Sequence, residues 1–171
     1  MKKAILLLSS VFFLASCEGL VDGLNNDPNN PTSTSYQYIL TGAEVGNIVL
    51  QTGEVSRKAA IFAGQYTGID RQHLGFSEYA VTTSDFNSEW NNVYVDVVAN
   101  IRAAQAAAEE EEIGPVTRGI AEVVRAHALG TAASLWGDIP FDESGLPDIE
   151  APRFENQVEG YSKLQELLDL A

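Results

Sequence analysis

The residues best suited to hold a small polar molecule fall together in Gly64-Gln65-Tyr66-Thr67-Gly68-Ile69-Asp70-Arg71-Gln72-His73-Leu74-Gly75-Phe76-Ser77-Glu78-Tyr79, which mixes aromatic rings with Asp, Arg, Gln and His. A ligand with an apolar C–H face and a rim of hydroxyls needs aromatic platforms beside planar polar side chains. Tyr66, Asp70, Arg71, Gln72 and Tyr79 are the candidates for that work. The competing reading makes Tyr66 and Tyr79 core aromatics under a long loop and Asp70-Arg71 a local ion pair. Trp90, with Asn91 and Asn92 beside it at the start of a helical stretch, is a further stacking candidate. Its spacing to Tyr94 favours core packing instead.

Reactive chemistry finds less support. Asp138, Asp142 and Glu143 are carboxylates near a tight turn. Glycoside hydrolysis needs two carboxylates held ~5 to 10 Å apart across a cleft, and nearness in sequence does not create that geometry. His127 stands among Ile120, Val124 and Thr131 with no His or Cys nearby, the setting of a satisfied core histidine rather than a metal ligand. Counted as a calcium loop from Asn25, the Asn/Asp/Pro-rich stretch places Asn30 where Gly belongs and Tyr36 where Glu belongs. The residues therefore indicate no enzyme, no metal and no cofactor.

The remaining chemistry lies at the N-terminus. Lys2 and Lys3 precede an apolar run, Ala4 to Leu14, that ends in Leu14-Ala15-Ser16-Cys17. The run is too short for a bilayer, which takes about 20 residues. Small residues followed directly by cysteine resemble a bacterial lipoprotein signal, in which that cysteine carries the lipid. Cys17 is the chain's only cysteine, so lipidation accounts for it and a disulfide framework is excluded. Residues 1–16 read as the signal peptide, 17–33 as a lipidated tether and turn segment, and 34–171 as a helical body.

Charge removes another class. The 171 residues carry 10 Lys and Arg against 24 Asp and Glu, a formal charge of -14. Such a chain repels phosphates, so a nucleic-acid partner is set aside. It also does not adsorb by itself to anionic lipid. A hydrophobic content of 45% supplies a core and argues against a disordered acidic tail.

The elements that must position these residues are helices. Thr34 or Ser35 can cap a helix to about Leu50, with Tyr36, Ile39, Leu40, Ala43 and Val45 inward and with Gly42 and Gly46 allowing another helix close. From Asn87 to Glu112, Trp90, Tyr94, Val97, Ile101, Ala104 and Ala108 recur at steps of four and three. Its last four acids sit at the unfavourable end of the helix dipole and are expected to fray. The next helix, Val116 to about Trp136, is expected to turn Val116, Ile120, Val124, His127, Thr131 and Leu135 inward, leaving Arg118, Glu122 and Arg125 on the other face. Three residues separate the two, which predicts an antiparallel hairpin. Gly137 and Pro140 stop the second helix. A last one starts near Gln157, with Tyr161, Leu164, Leu168 and Ala171 on one face. It stops in mid-pattern, so the chain is expected to be the N-terminal part of a longer protein.

Five elements in order carry a family resemblance: the lipid-attachment signal; Leu24-Asn25-Asn26-Asp27-Pro28-Asn29-Asn30-Pro31-Thr32; Trp90-x3-Tyr94 running into Asn100-Ile101; the Arg125 to Trp136 helix closing on Gly137-Asp138-Ile139-Pro140-Phe141; and Tyr161-x2-Leu164-x3-Leu168-x2-Ala171. Together they resemble the start of a SusD/RagB-family nutrient-binding lipoprotein. The resemblance implies a mostly α fold of tetratricopeptide-like helical hairpins with long irregular loops. It implies a lipid-anchored, outer-membrane, cell-surface protein that works with a SusC-like TonB-dependent transporter. The implied ligand is an oligosaccharide, or a peptide as in RagB-like members; a transporter-docking scaffold without its own ligand site is the third possibility. Some relatives carry calcium, which this sequence does not indicate.

Overall fold

The computed structural model describes residues 34–171. Cys17, the tether and the Asn25–Thr32 turn lie outside the described residues. In chain order the helices are α1 (Tyr36–Thr52), α2 (Glu54–Phe62), α3 (Arg71–Ser77), a 3-10 turn (Thr83–Phe86), α4 (Asn87–Asn91), a π-helical stretch (Asn92–Ala99), α5 (Asn100–Glu110), α6 (Pro115–Trp136) and α7 (Gln157–Leu170). The fold is mostly α, as expected. Two short strands, β1 (Ile139–Pro140) and β2 (Phe154–Glu155), pair antiparallel with Ile139 opposite Glu155.

α4, the π stretch and α5 run on from one another, which is the single long helix the sequence predicts. Its Val-Tyr-Val-Asp-Val-Val centre is β-branched, and such residues crowd an ordinary helical turn. The stretch relaxes into wider π turns while still burying Val93, Val97 and Val98. α1 packs against it closely: a Cβ at Gly46 would lie 3.0 Å from the Asp96 carbonyl. Gly46 thus has the expected role, whereas Gly42 faces open space.

α5 and α6 form the expected hairpin, but the inward face of α6 differs from the expectation. Gly119, Ala121, Arg125, Ala126, Ala128, Leu129, Ala132 and Ala133 are buried. Val116, Ile120, His127 and Leu135 are exposed. The small residues win the inward face because they allow close backbone approach; at Gly119 a Cβ would meet the Ala171 carbonyl at 2.2 Å. His127 is accordingly no core histidine, its Nδ1 lying 3.0 Å from the Asn47 amide nitrogen.

Three smaller corrections follow from packing. Val45 is exposed, and α1 turns Tyr36, Leu40, Ala43, Gly46 and Leu50 inward. In α7 Leu164 is buried as expected, but Tyr161, Leu168 and Ala171 are exposed and Gly160 fills the inward position a turn earlier. The acids after α5 are not simply a solvated end: Glu111 Oε1 accepts the Tyr36 N–H at 2.8 Å, covering the N-terminus of α1. Gly137, with φ +79°, ends α6 as anticipated. Asp138 then accepts the Gln157 N–H at 2.9 Å and Asn156 the Val158 N–H at 3.0 Å, so two side chains start α7.

Candidate functional site

The stretch between α1 and α4, which the sequence leaves as a loop, folds into α2 and α3 joined by a tight bend. Gly64, with φ +70°, turns the chain, and Gln65 and Tyr66 N–H both donate to the Ala60 carbonyl, at 2.8 and 3.1 Å. Gly68 then passes so close to α3 that a Cβ would lie 1.7 Å from the His73 carbonyl oxygen. Its N–H donates to Ser77 Oγ at 2.6 Å. Asp70 caps α3 by accepting the Arg71 N–H at 2.8 Å, and Arg71 takes a left-handed φ of +51°.

This bend walls a cleft of about 320 Å³ in which Tyr66 and Asp70 meet Arg57, Ile61, Ile69 and His73. Tyr66 is 63% exposed and Tyr79 is 71% exposed, so neither is a core aromatic. Arg57 Nη2 pairs with Glu54 Oε1 at 2.9 Å. His73 Nε2 lies 3.7 Å from Glu54 Oε2 and has no hydrogen-bond partner among the described residues. Arg71 and Gln72 stand exposed beside the cleft without lining it. The Asp70–Arg71 ion pair exists, at 3.7 Å, but both side chains are solvated and it holds little. Tyr79 also lies outside the cleft, its ring stacked 5.8 Å from Phe62 at an interplanar angle of 24°.

Trp90 belongs to a different place. It packs against Tyr94 (4.5 Å between centroids), Trp136 (5.1 Å) and Phe154 (6.1 Å, 16° from parallel). It also lines an open groove of about 440 Å³ with Val81, Thr82, Thr83, Phe86 and Trp136. The half-buried ring is thus both packed and part of the groove wall. Burial raises the Tyr94 phenol well above its ordinary value, and its hydroxyl donates to the Pro140 carbonyl at 3.1 Å. At the groove's edge Thr82 N–H and Oγ1–H both donate to Asp85 Oδ2, at 2.7 and 2.8 Å. These hydrogen bonds hold the Asp85 carboxyl below its ordinary value.

A buried ion pair stands between the cleft and the groove. Lys58, from the same helix as Arg57 and Ile61, pairs with Glu89, the residue before Trp90, and donates to the Asp85 carbonyl. Its ammonium lies 5.2 Å from the Phe76 ring centroid and 4.8 Å from that of Phe86. Sequence reasoning missed Arg57, Lys58, His73, Glu89 and Trp136 as contributors here. His73, inside the Gly64–Tyr79 stretch, and Trp136, an aromatic next to a helix-stopping glycine, carried a usable signal; the other three did not.

The carboxylates weighed for hydrolysis are engaged in holding the fold. Asp138 caps α7, Asp142 Oδ2 accepts from Lys163 at 2.6 Å, and Glu143 Oε2 accepts the Arg153 N–H at 2.7 Å. Among the described residues no group of three or more His, Cys, Asp or Glu side chains converges as a metal site. Nor is any described helix long and apolar enough to cross a membrane.

The sequence profile of a SusD-like family, described as starch-binding and associating with the outer membrane, matches residues 28–171. The fold is similar to that of a SusD/RagB family protein from Bacteroides thetaiotaomicron, with a TM-score of 0.73 and 24% identity. The similarity covers 81% of this chain and 30% of that one, so the chain spans under a third of its structural relative. No curated protein matches. With the profile extending over most of its length, from the turn segment to Ala171, the chain belongs to the SusD/RagB family.

Proposed function

We propose that this chain contributes an oligosaccharide-binding surface at the bacterial outer membrane and passes its ligand to a SusC-like TonB-dependent transporter. SusD/RagB-family proteins bind nutrients and are not enzymes, so no chemical step is invoked. The observation that carries the reading is the 320-Å³ cleft, where an exposed Tyr66 ring stands beside the planar polar side chains of Asp70, Arg57 and His73. A sugar ring offers a C–H face to the tyrosine and hydroxyls to the carboxylate, guanidinium and imidazole. Arg71, Gln72 and Tyr79, exposed beside that cleft, would meet a ligand longer than the cleft itself. Trp90, with Trp136, offers a second stacking surface for a further sugar unit.

Residues 1–16 act in this reading as a signal peptide, and Cys17 as the lipid-bearing residue. Residues 17–33 are the tether that holds the helical body, 34–171, at the cell surface. Two or more acyl chains give stable anchoring, where one gives only reversible binding.

Calorimetric titration with maltoheptaose, chosen because the family is described as starch-binding, and with a panel of other oligosaccharides and peptides tests the ligand. Tyr66→Ala is expected to weaken glycan affinity about tenfold, the loss of roughly 1.4 kcal/mol that one stacked ring supplies. Peptide binding without glycan binding would favour a RagB-like role. Unchanged glycan affinity in a Tyr66→Ala/Asp70→Ala double variant would remove the cleft from the site.

A further inference from the structure

A cavity of about 390 Å³ lies where α5, α6 and α7 meet the chain after β1, and it shares no lining residue with the cleft or the groove. Arg102, Arg125 and Lys163 bring three cations to it, Arg125 and Lys163 over the ring of Phe141. Arg102 and Lys163 are occupied. Arg102 donates to the Ser144 and Asp142 carbonyls at 3.2 and 2.7 Å. Lys163 serves Asp142 and Glu155, with Glu159 at 3.5 Å.

Arg125 is different. It is 5% exposed, yet its Nε has no hydrogen-bond partner among the described residues. Its nearest carboxylate is Glu122: Oε1 accepts from Gln105, while Oε2, buried and without a hydrogen-bond partner among the described residues, lies 3.5 Å from Arg125 Nη1. A guanidinium offers five N–H donors in a planar fork, and buried charged groups are normally both paired and hydrogen-bonded. We propose that this cavity is a carboxylate-binding site in which a bound carboxylate receives the free donors of Arg125 beside Arg102.

The planar fork of arginine fits a carboxylate with two parallel hydrogen bonds, the geometry that a point charge such as lysine cannot give. Burial, with Arg102 as a nearby like charge, also pulls the Arg125 guanidinium below its usual range, and a bound anion offsets both effects. The acids around the cavity do not fill the role. Asp142 and Glu155 are taken by Lys163, and Glu122 pairs with Arg125 Nη1 at 3.5 Å and offsets part of its charge but leaves Nε without a partner among the described residues. Glu166 is exposed at the mouth and opposes the ligand by charge.

The test is a titration of the whole chain with sodium acetate against sodium chloride at equal ionic strength, read by the arginine Nε–H and Phe141 amide resonances. Acetate is expected to move the Arg125 and Arg102 signals to saturation in the millimolar range, with chloride leaving them in place. Arg125→Gln is expected to weaken the acetate response, followed at the Arg102 Nε–H and the Phe141 amide, at least tenfold. Glu166→Gln, a change at an exposed position, is expected to tighten it severalfold. A wild-type response that does not saturate, or one equal to that in chloride, overturns the site. So does an acetate response of the same strength in folded Arg125→Gln.

Discussion

At the residue scale, the cleft depends on two glycines that need to be glycine for different reasons. Gly64 is glycine for its positive φ, since a Cβ there would have nothing within 4 Å, while Gly68 is glycine because the His73 carbonyl occupies the space. Gly64→Ala should cost about 1 kcal/mol, the penalty of a left-handed alanine. Gly68→Ala must displace α3 and should cost about 3 kcal/mol, as buried steric conflicts do. Urea denaturation of the two variants separates the causes; equal losses would show that Gly68 is not a close-approach site. Asp85 carries the residue-scale pH dependence. Its carboxyl is held below 3.8 by Thr82, so the Thr82–Asp85 hydrogen bonds contribute fully above the unfolded value and are lost as pH falls through the lower folded one. Thr82→Ala removes the hydroxyl donor but keeps the backbone N–H, the larger of the two causes, so the Asp85 carboxyl should rise only part of the way toward 3.8, followed by its side-chain carbon resonance.

At the element scale, Lys58 and Glu89 fix α2, which walls the cleft, to α4, which carries Trp90. Breaking a buried pair by one partner leaves an uncompensated charge, whereas replacing both by apolar residues is close to neutral. Glu89→Leu alone should therefore cost about 3 kcal/mol, and Lys58→Met added to it should recover most of the loss. A double variant no more stable than the single would place the stabilisation in packing rather than charge. The inverted face of α6 makes a second comparison: Leu129→Ala, at a fully buried site, should cost about 3 kcal/mol, and Ile120→Ala, at a 44%-exposed one, under about 1 kcal/mol.

That inversion marks where the sequence stopped being legible. Helix positions followed from period and punctuation, because Trp90, Val97, Ile101 and Ala104 repeat cleanly and Gly137 and Pro140 interrupt cleanly. The facing of α6 did not, because Ala and Gly offer a close-packed stripe as readily as Val and Ile offer an apolar one, and hydropathy favours the latter. The same limit applies to the cleft. Tyr66 and Asp70 are near in sequence and were foreseeable, but Arg57 and His73 reach them only through the bend that Gly64 and Gly68 permit. The Lys58–Glu89 pair spans 31 positions, and neither residue belongs to a repeating pattern.

At the scale of the whole molecule, charge decides the response to salt. The chain has 24 acidic against 10 basic residues, and among the described residues most acids lack a cationic partner, while the cations are concentrated at a few sites that join elements. Lys163 is the densest of these: it meets Asp142 after β1, Glu155 in β2 and Glu159 in its own helix. Screening by salt weakens the diffuse repulsion among solvated acids over about 10 Å at 0.1 M, but acts less on partly buried pairs. Raising sodium chloride from low to physiological concentration should therefore raise the melting temperature of the wild type by relieving self-repulsion. Lys163→Met leaves three carboxylates facing one another, so its destabilisation should be largest at low salt and shrink as salt is added. Thermal melts of both proteins across a salt series measure this directly. A melting temperature that falls with salt in the wild type would mean that attractive pairs such as those of Lys163, rather than the surplus of acids, dominate the electrostatics of the fold.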